Sequence, residues 1–501
     1  MPKTLCLGVC LLLAAAGARA DDWPQLQHDA GRTGRTLDSV PPPYRARWIW
    51  MGPARTLRNK DSQAGWPDDL TARAGYSYPI LSSVPFTICD SVQPVLSAGR
   101  IFVGTMDGNA YGIDANDGST SWTASIPGGT ISTAAVSGSV VVFVTVTGQV
   151  VGLNVAGGTQ AWIYDSGRSI TGAPCLAGSA VVVADHAGYV TALNPANGSV
   201  NWRTRLAAPV HGGIASDGSS VYVGAENLVF YKLSLATGTV QASHGLRGQS
   251  FRMLWPTVFG GRVYGHTLTT PVIGSEYVME SLMAGSPDLA TEEANIARWL
   301  TGDTNGGAWP DAGSDWRHLF AMNTGDLSEP FTVLAGPADG CGVPTPASVV
   351  DNSDRVLTYF KTRYPKLTKL GAFGTNYSID VAGIDTANGR RVPIDNGRLA
   401  NPWPWETDNL YAMSVGGTFL WLRQNFRGTQ VINLADSTTR GVSAEVRVRD
   451  GGNFLFDVVY KDQMPTIGVS QNAMQGRAAP VISGSRVVIA ETFGVTAIEH
   501  R

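Results

Sequence analysis

The chain has 501 residues, of which 59 are Gly and only 15% are charged. This composition is typical of turn-rich β structure, and it excludes a disordered or predominantly helical protein. The formal net charge of −3 gives no basis for binding to nucleic acid or to an anionic membrane surface.

The first twenty residues are predicted to be a secretory signal peptide. Lys3 gives a positively charged start, residues 5–16 form an apolar stretch too short to span a bilayer, and residues 18–20 form a small-x-small cleavage site. We therefore expect a mature chain that begins at Asp21 and is exported to the periplasm or the exterior of a bacterial cell. No later stretch is apolar enough to predict a membrane span.

Three cysteines follow this leader, namely Cys89, Cys175 and Cys341. An odd number in an exported protein fits either one disulfide with one thiol or three thiols. Cys175 stands at the start of an apolar segment and is expected in the core. Cys89 and Cys341 both stand in predicted loops, so they are the predicted pair if a disulfide forms. No CxxC and no Cys/His spacing typical of a metal site occurs.

A repeat of forty residues organises the chain from residue 92 to residue 244. Two residue types recur on that step, namely glycine and tryptophan, at Gly118, Gly158, Gly198, Gly238, Trp122, Trp162 and Trp202. Each repeat contains four short apolar segments separated by turns, and the second segment is rich in β-branched residues, as in 140–146. Four short strands in forty residues are typical of a β-propeller blade.

The repeats predict an all-β fold over residues 21–501, an eight-bladed β-propeller of four-stranded blades. The eight predicted units cover residues 92–125, 130–165, 170–205, 209–244, 255–326, 344–390, 409–439 and 479–498. The last unit has only three strands, and residues 45–50 are predicted to supply its fourth. This pairing closes the ring between the two ends of the chain and leaves no open sheet edge.

The glycines and tryptophans belong to the pattern Ala/Gly-x-Asp/Asn-x-x-x-Gly-x-x-x-Trp, which ends at Trp122, Trp162 and Trp202. This pattern resembles the tryptophan-docking repeat of PQQ-like β-propellers. The segment Asp22-Trp-Pro-Gln-Leu-Gln-His-Asp-Ala-Gly-Arg-Thr-Gly is also similar to the start of secreted members. The resemblance extends over most of the mature chain, is most specific over 92–242, and implies that each of these tryptophans packs against the adjacent blade.

Five long segments interrupt the regular repeats, at about 51–91, 268–316, 361–377, 393–407 and 442–477. In a blade, such segments emerge either between the second and third strands or between one blade and the next, and both positions lie on the same face. Long ordered loops on a rigid scaffold commonly carry binding sites. This long-loop face is therefore the predicted functional face, and decoration without a ligand is the alternative.

The resemblance also implies a second possibility, a quinoprotein dehydrogenase that uses PQQ and calcium. Such enzymes carry a vicinal Cys-Cys bridge, which this sequence lacks, together with Asn and carboxylate ligands to calcium and an Asp general base. Across residues 301–316 the resemblance assigns Asn305 as a metal ligand, Trp309 as a cofactor contact and Asp315 as the catalytic base. The alternative is a decorated loop with an Asp/Gly turn.

Further candidate site residues fall in turns on the same predicted face. Glu226 stands where other units have an Asp-Gly turn, which makes it a candidate calcium ligand or a plain turn residue. Arg252 precedes the fifth unit and Trp255 begins it, and both are candidate contacts to a cofactor or a partner, because Arg and Trp dominate contacts at interfaces. Trp255 is equally well explained as a core residue at the start of a strand.

Three histidines, His186, His211 and His266, lie near the upper turns of neighbouring units. This placement allows them to converge at the mouth of the central channel. No local pair of ligands supports a metal, so ordinary surface or turn histidines are the favoured interpretation.

The sequence favours an exported, non-catalytic binding or scaffold module that acts on a protein or an envelope polymer through the long-loop face. The functional analogy is the propeller lipoprotein of bacterial outer-membrane protein assembly, at the level of fold. No cofactor is expected for this function. The alternatives are a PQQ- and calcium-dependent alcohol or sugar dehydrogenase and a carbohydrate-binding propeller of the envelope. No Gly-x-Ser-x-Gly, P-loop or His-Glu-x-x-His motif supports a hydrolase or a nucleotide-binding protein.

Overall fold

The structure is a computed structural model that describes most of the chain in separate ranges. The described residues are 21–42, 44–54, 56–58, 87–268, 282, 286–307, 313, 317–335, 347–363, 377–398, 410–424, 428–435, 439–440, 445–447, 457–459, 478–492 and 494–500. No helix in these ranges is long and apolar enough to cross a membrane.

The chain begins with three short strands and continues with four regular blades. The N-terminal strands are β1 (Arg35–Thr36), β2 (Tyr44–Trp50) and β3 (Thr56–Arg58). Blades one and two contain β4 (Val95–Ser97), β5 (Arg100–Gly104), β6 (Asn109–Asp114), β7 (Thr120–Ser125), β8 (Ala135–Ser137), β9 (Val140–Val144), β10 (Gln149–Asn154) and β11 (Gln160–Asp165). Blades three and four contain β12 (Cys175–Ala177), β13 (Ala180–Ala184), β14 (Tyr189–Leu193), β15 (Val200–Arg205), β16 (Ile214–Ser216), β17 (Ser220–Ala225), β18 (Val229–Ser234) and β19 (Val240–Gly245).

The remaining four blades are less regular. Blade five contains β20 (Thr257–Phe259), β21 (Arg262–His266) and β22 (Leu319–Asn323), and Phe331 makes one bridge to Ala321 where a fourth strand would pair. Blades six and seven contain β23 (Val349–Val350), β24 (Val356–Arg363), β25 (Tyr377–Ile384), β26 (Arg391–Arg398), β27 (Leu410–Gly416), β28 (Phe419–Gln424), β29 (Gly428–Asn433) and β30 (Thr439–Arg440). A separate hairpin, β31 (Glu445–Arg447) and β32 (Asp457–Val459), precedes the blade-eight strands β33 (Val481–Ser483), β34 (Arg486–Glu491) and β35 (Gly494–His500).

The predicted eight-bladed propeller is confirmed, and the predicted ring closure is present. Strand β2 pairs antiparallel with β35, so that Trp48 lies opposite Ala497 and Trp50 opposite Val495. The first strand of blade eight contacts the first strand of blade one, which completes the ring. In the closed ring, every blade packs between two neighbouring blades.

The burial of the strands follows from their position between neighbouring blades. Every residue of β9 and β13 is buried, which explains why these strands are continuous β-branched runs rather than alternating ones. In β11 and β15, by contrast, the tryptophan is the one buried residue of an otherwise open outer strand. This tryptophan is therefore the main contact between each of these outer strands and the neighbouring blade.

The docking tryptophans contact the adjacent blade as the resemblance implied. The Nε1 of Trp122 donates a hydrogen bond to the carbonyl of Val155 in the next blade at 2.9 Å, and Trp162 repeats this contact with Pro195 at 2.9 Å. A Cβ added to Gly158 would lie 2.5 Å from the Trp122 ring, and the φ of +69° at this glycine also disfavours a side chain.

The same contact continues around the ring. Trp202 donates to the Leu235 carbonyl at 2.7 Å above Gly238, and Trp48 donates to the Ala115 carbonyl at 3.2 Å above Gly118. Trp48 therefore docks blade eight onto blade one. Sequence reasoning placed Trp48 in the closing strand but not among the docking tryptophans, because it stands outside the forty-residue register.

Residues 21–38, which we name the axial strap, run along the inner edge of the ring. The first strand of each of the eight blades donates one hydrogen bond to this segment. The pairs are Leu96 N to Trp23 O, Val136 N to Pro24 O, Leu176 N to Gln25 Oε1, Ser216 N to Ala30 O, Val258 N to Gly31 O, Val350 N to Thr33 O, Val415 N to Gly34 O and Ser483 Oγ to Asp21 O. These distances lie between 2.6 and 2.8 Å. The strap thus occupies the central channel and ties all eight blades together.

Arg32 is the hub of the axial strap. Its side chain is 0% exposed. The guanidinium donates to the carbonyls of Ile214 at 2.9 Å, Leu26 at 2.7 Å and Pro174 at 2.9 Å, and to Gln25 Oε1 at 3.2 Å. One buried cation therefore joins two turns of the strap to blades three and four.

Backbone conformation shows how firmly the strap is held. Gln27, His28 and Arg32 have φ values of +54°, +73° and +59°, a region that non-glycine residues rarely adopt. Such conformations persist where surrounding contacts impose them. The contacts here are the eight inter-blade hydrogen bonds and the Arg32 hub.

Helix α1 (Leu289–Leu300) lies between β21 and β22, within the long segment 268–316. Asp288 caps it by accepting a hydrogen bond from Thr291 N at 2.8 Å. Ile296, Trp299 and Leu300 are buried at helical spacing and anchor it.

The two described cysteines are thiols with different surroundings. Cys175 is fully buried in blade three, as predicted, with Sγ 3.8 Å from the Ala30 carbonyl of the strap. Cys89 is half-buried and forms no disulfide with a described cysteine. The pairing of Cys89 with Cys341 stays a prediction, because Cys341 lies outside the described residues.

The strap and the buried histidines predict how stability depends on pH. Burial opposes the charge of His28, but hydrogen bonds to Asp21 and Asp29 raise its pKa to about 9. Burial lowers the pKa of His266 to about 3 and that of His318 to about 4. An unfolded histidine titrates near 6.5. The contribution of His28 to the free energy of unfolding is therefore complete below about pH 6.5 and is lost as pH rises to 9. The contributions of His266 and His318 to the free energy of unfolding are lost as pH falls from 6.5 toward 4.

We expect the free energy of unfolding to peak near pH 6.5 and to fall by about 3 kcal/mol between pH 6.5 and 9. Urea unfolding at half-unit pH steps measures this curve. The His28→Gln variant is expected to lose the alkaline decline and to keep the acid one. An unchanged alkaline decline in that variant would show that His28 is not its source.

Candidate functional site

A pocket of about 410 Å³ lies where the segments that enter blades one to five converge. Its walls come from residues 89–91, 131–133, 171–173 and 252–255, together with His211, Gly213, His186 and Leu26 of the axial strap. Because the blade-entry segments and the second-to-third-strand turn of blade three meet here, the pocket lies on the predicted functional face. Its size is within the range of ligand pockets in proteins.

Two of the three histidines singled out in the sequence meet at this pocket. The ring centroids of His186 and His211 are 4.2 Å apart. The Thr171 hydroxyl lies 2.9 Å from His186 Nε2. Burial, and then the neighbouring His211, lowers the pKa of His186, which keeps this ring neutral near pH 7. The pair therefore lines the pocket as polar, hydrogen-bonding rings.

His266 does not join the other two. It is fully buried in blade five, 6.5 Å from the His318 ring, and Ser348 N donates to its Nε2 at 3.1 Å. This histidine belongs to the interface between blades five and six. The predicted convergence of three histidines is thus limited to two.

Glu226 lies behind the pocket and holds one of its walls. Its Oε2 accepts a hydrogen bond from Ser250 Oγ at 2.6 Å, its Oε1 accepts from Phe251 N at 3.3 Å, and His211 Nδ1 lies 3.8 Å away. Both carboxylate oxygens are therefore engaged by protein donors. Glu226 fixes the loop that carries Arg252 and Trp255.

The loop 250–255 forms the rim of the pocket, and we name it the rim loop. Arg252 and Trp255, both predicted as contacts, line the pocket. Met253 stands between them with φ +65°, and its side chain is 49% exposed. The Leu254 carbonyl accepts a hydrogen bond from Gly213 N at 2.6 Å, which ties the loop to the preceding blade. The rim loop is hydrogen-bonded to its surroundings and presents an exposed apolar side chain in a strained conformation.

Buried polar atoms at the pocket have no hydrogen-bond partner. Ser132 is 7% exposed, and its Oγ has no hydrogen-bond partner. Trp255 is half-buried, and its Nε1 also has no hydrogen-bond partner. Unpaired buried polar groups are uncommon in folded proteins and call for an explanation. Sequence reasoning missed Ser132, Met253 and Leu26, because serine, methionine and leucine carry no signal of function by themselves.

Asn305, assigned as a metal ligand by resemblance, does not line the pocket. It stands in a short turn, Asn305–Gly307, after helix α1. Its Oδ1 accepts from Arg298 Nη2 at 3.2 Å, and its backbone N donates to Asp303 Oδ1 at 2.7 Å. Trp309 and Asp315, its predicted companions, lie outside the described residues, so their roles stay predictions.

The described residues do not form a calcium-binding set of the quinoprotein kind. Calcium requires several oxygen ligands, usually including carboxylates. Asn305 has a guanidinium at its amide oxygen, and both oxygens of Glu226 accept from protein donors. Across the described ranges, no three His, Cys, Asp or Glu side chains are grouped to hold a metal. We therefore derive no redox step for this site.

Comparison with known proteins relates the chain to PQQ-like β-propellers. The sequence profile described as outer membrane protein assembly factor BamB matches residues 57–211 and 186–282. No curated protein sequence matches the chain. Three similar solved structures have the same fold at 11–12% sequence identity, which supports a statement about the fold alone.

The first of these structures is BamB from Moraxella catarrhalis, with 12% identity and a TM-score of 0.50, over 83% of this chain and 98% of that one. The second is the computationally designed Ika8 protein, with 11% identity and a TM-score of 0.51, over 82% and 96%. The third is quinohemoprotein alcohol dehydrogenase from Comamonas testosteroni, with 12% identity and a TM-score of 0.55, over 97% and 81%. With its docking tryptophans and closed ring of eight blades, the chain has the fold of a PQQ-like β-propeller.

Proposed function

We propose that this protein is an exported, non-catalytic binding module of a bacterial envelope that takes a protein partner at the pocket-bearing face. The observation that carries the proposal is the rim loop. Arg, Met and Trp are enriched at protein interfaces, and here Arg252, Met253 and Trp255 stand together at the edge of a pocket.

The conformation of the rim loop supports the same function. Met253 exposes an apolar side chain to water and has a φ of +65°. Both features raise the free energy of the protein without a partner. The hydrogen bonds of Glu226 and the Gly213–Leu254 contact hold the loop in place before any partner arrives. A rim that is already ordered lowers the entropic cost of binding.

The resemblance to BamB makes an interaction role and an exported location reasonable for this chain. The similarity to an alcohol dehydrogenase gives no comparable support for catalysis, because the described residues do not supply the calcium ligands. A binding module explains the ordered rim and the pocket without a cofactor.

The proposal is tested by capture of partners from a detergent extract of the source organism. The test variant combines Arg252→Glu with Met253→Asp at the rim. The control variant combines Lys232→Glu with Val240→Asp on the outer strands of blade four, where Val240 is 43% exposed and the Lys232 amine donates an exposed hydrogen bond to the Gly325 carbonyl at 3.1 Å. We expect the rim variant to keep its melting temperature and to retain at least tenfold less partner, and the control to retain as much as the wild type.

Two results would contradict the proposal. Equal loss of the partner from both variants would show that the rim is not the binding face. Saturable, stoichiometric binding of PQQ in the presence of calcium, followed by absorbance, would support the quinoprotein alternative instead.

A further inference from the structure

We infer that the pocket receives the C-terminal residue of a polypeptide, with its free carboxylate toward the Arg252–Trp255 wall and its apolar side chain toward the floor. This inference rests on the proposed function, because the polypeptide is the partner that the rim loop binds. It adds the chemical group that the pocket recognises.

The wall that leads into blade five carries hydrogen-bond donors. Trp255 Nε1 is buried and unpaired, and an indole N–H can donate but not accept. Arg252 is exposed on the same loop, and a guanidinium has five N–H donors and no acceptor. A wall made of donors with one positive charge selects an anionic acceptor. A carboxylate matches the guanidinium in shape as well as charge.

The wall on the opposite side of the ring carries an acidic residue and a hydroxyl. Blades one and five face each other in an eight-bladed ring, and the segment entering blade one brings Asp90 to the pocket. Next to it, the segment entering blade two brings Ser132 with its unpaired hydroxyl. An acidic acceptor beside an unpaired hydroxyl fits a ligand that carries both an N–H donor and a carbonyl acceptor. The amide group before a C-terminal residue carries both.

The floor of the pocket carries apolar side chains. Leu26 of the axial strap lines the pocket, together with Ile131 beside Ser132 and Leu254 beside Trp255. Their side chains provide an apolar surface for an apolar side chain of the ligand. The C-terminal residue of a chain thus matches the donor wall, the wall of Asp90 and Ser132, and the apolar floor at once. An internal acidic residue carries its carboxylate on the side chain itself, so no apolar side chain is left to cover the floor.

The histidine pair is consistent with one negative charge on the ligand. His186 is neutral near pH 7 because burial and His211 lower its pKa. The charged groups that face the pair are Asp185, Glu226 and Arg252. Asp90 and Glu226 on the protein side oppose a second negative charge, so a ligand with several carboxylates or a phosphate is disfavoured.

The experiment uses the full-length protein with ¹⁵N-labelled tryptophan and follows the indole N–H signals by NMR. The Trp255 signal is assigned by its disappearance in Trp255→Phe. The probes are N-acetyl-alanyl-leucine, the same dipeptide as its C-terminal amide, N-acetyl-glutamic acid α-amide and PQQ. The Trp162 signal in the blade-two outer strand is the internal control.

We expect N-acetyl-alanyl-leucine to shift the Trp255 N–H signal downfield and saturably, without moving the Trp162 signal. The dipeptide amide and the glutamic acid α-amide are expected to bind at least tenfold more weakly. Arg252→Gln and Ser132→Ala are each expected to weaken binding of the dipeptide by fivefold or more. The matched surface variant Lys232→Gln is expected to leave it unchanged.

The remaining outcomes overturn the inference, and they separate it from the proposed function. Equal binding of the dipeptide and its amide would show that the carboxylate is not recognised, and stronger binding of the glutamic acid α-amide would assign the pocket to a side-chain carboxylate. Absence of dipeptide binding, while the rim variant still loses its partner, would overturn the inference and leave the proposed function standing. A Trp255 shift caused by PQQ alone would overturn both.

Discussion

Replacing Arg32 with alanine is expected to destabilise the folded protein by on the order of 4 kcal/mol. The substitution leaves the carbonyls of Ile214, Leu26 and Pro174 without their donor in the interior of the channel. Each buried carbonyl that loses its partner costs about 1–3 kcal/mol. The loss of the hub also releases the strap, whose contacts reach every blade. The free energy of unfolding from urea titrations at pH 6.5 measures the effect.

Arg35→Ala is the matched control, because Arg35 stands three residues further along the same strap. Its guanidinium pairs with the exposed carboxylate of Asp354 and lies over the ring of Phe259. Exposed ion pairs contribute about 1 kcal/mol or less. A loss for Arg32→Ala no larger than that for Arg35→Ala would show that the strap does not hold the ring together.

Replacing Trp162 with alanine is expected to cost on the order of 3–5 kcal/mol. The side chain is 6% exposed and is the buried anchor of its strand. The variant loses the hydrogen bond to Pro195 O and leaves a cavity above Gly198, which the indole ring covers. The melting temperature and the urea midpoint both report this loss.

The neighbouring Ile163→Ala variant serves as the control, since Ile163 is 43% exposed on the other face of the same strand. A change of about 1 kcal/mol or less is expected there. Gly198→Ala tests the same contact from the opposite blade, because a Cβ at Gly198 would lie 2.5 Å from the Trp162 ring at a φ of +72°. If Trp162→Ala and Ile163→Ala had equal effects, inter-blade docking would not be the role of the tryptophan.

The regular part of the fold was accessible from the sequence because its causes are local and repeated. Each blade buries its second strand between two neighbours, so the β-branched runs and the tryptophans recur at a fixed spacing. The closing strand at 45–50 was predicted from the missing fourth strand of the last unit, and β2 (Tyr44–Trp50) occupies that place.

The axial strap was not accessible in the same way. Its bonds to the blades come mainly from backbone carbonyls of an irregular segment, and such bonds leave no periodic pattern in the sequence. The similarity of residues 22–34 to other secreted members marked the segment without indicating its path. From the sequence alone, an arginine such as Arg32 is expected at the surface, because arginines are rarely buried.

The candidate site was predictable in part. Arg252, Trp255, Glu226, His186 and His211 were each singled out by residue type and turn position, and the ring brings them together at or beside one pocket. Ser132 was not singled out, because whether a serine hydroxyl has a hydrogen-bond partner depends on the surroundings of the serine and not on its residue type. Asn305 was selected by a pattern of common loop residues, and that pattern does not specify distance from the pocket.

The two parts of the molecule are connected through Leu26. This residue belongs to the axial strap and also forms the floor of the pocket. The site is therefore built on the most constrained region of the fold, where the blades and the strap converge. Binding groups held by a rigid scaffold keep their geometry in the absence of a ligand.

The most direct test of the proposed binding face is photo-crosslinking from two matched exposed positions. p-Benzoylphenylalanine replaces Met253 at the rim in one variant and Val240 on the outer strand of blade four in the other, since these side chains are 49% and 43% exposed. The account predicts a partner adduct, identified by mass spectrometry, from position 253 and none from position 240. An adduct from position 240 alone, or equal adducts from both, would contradict it.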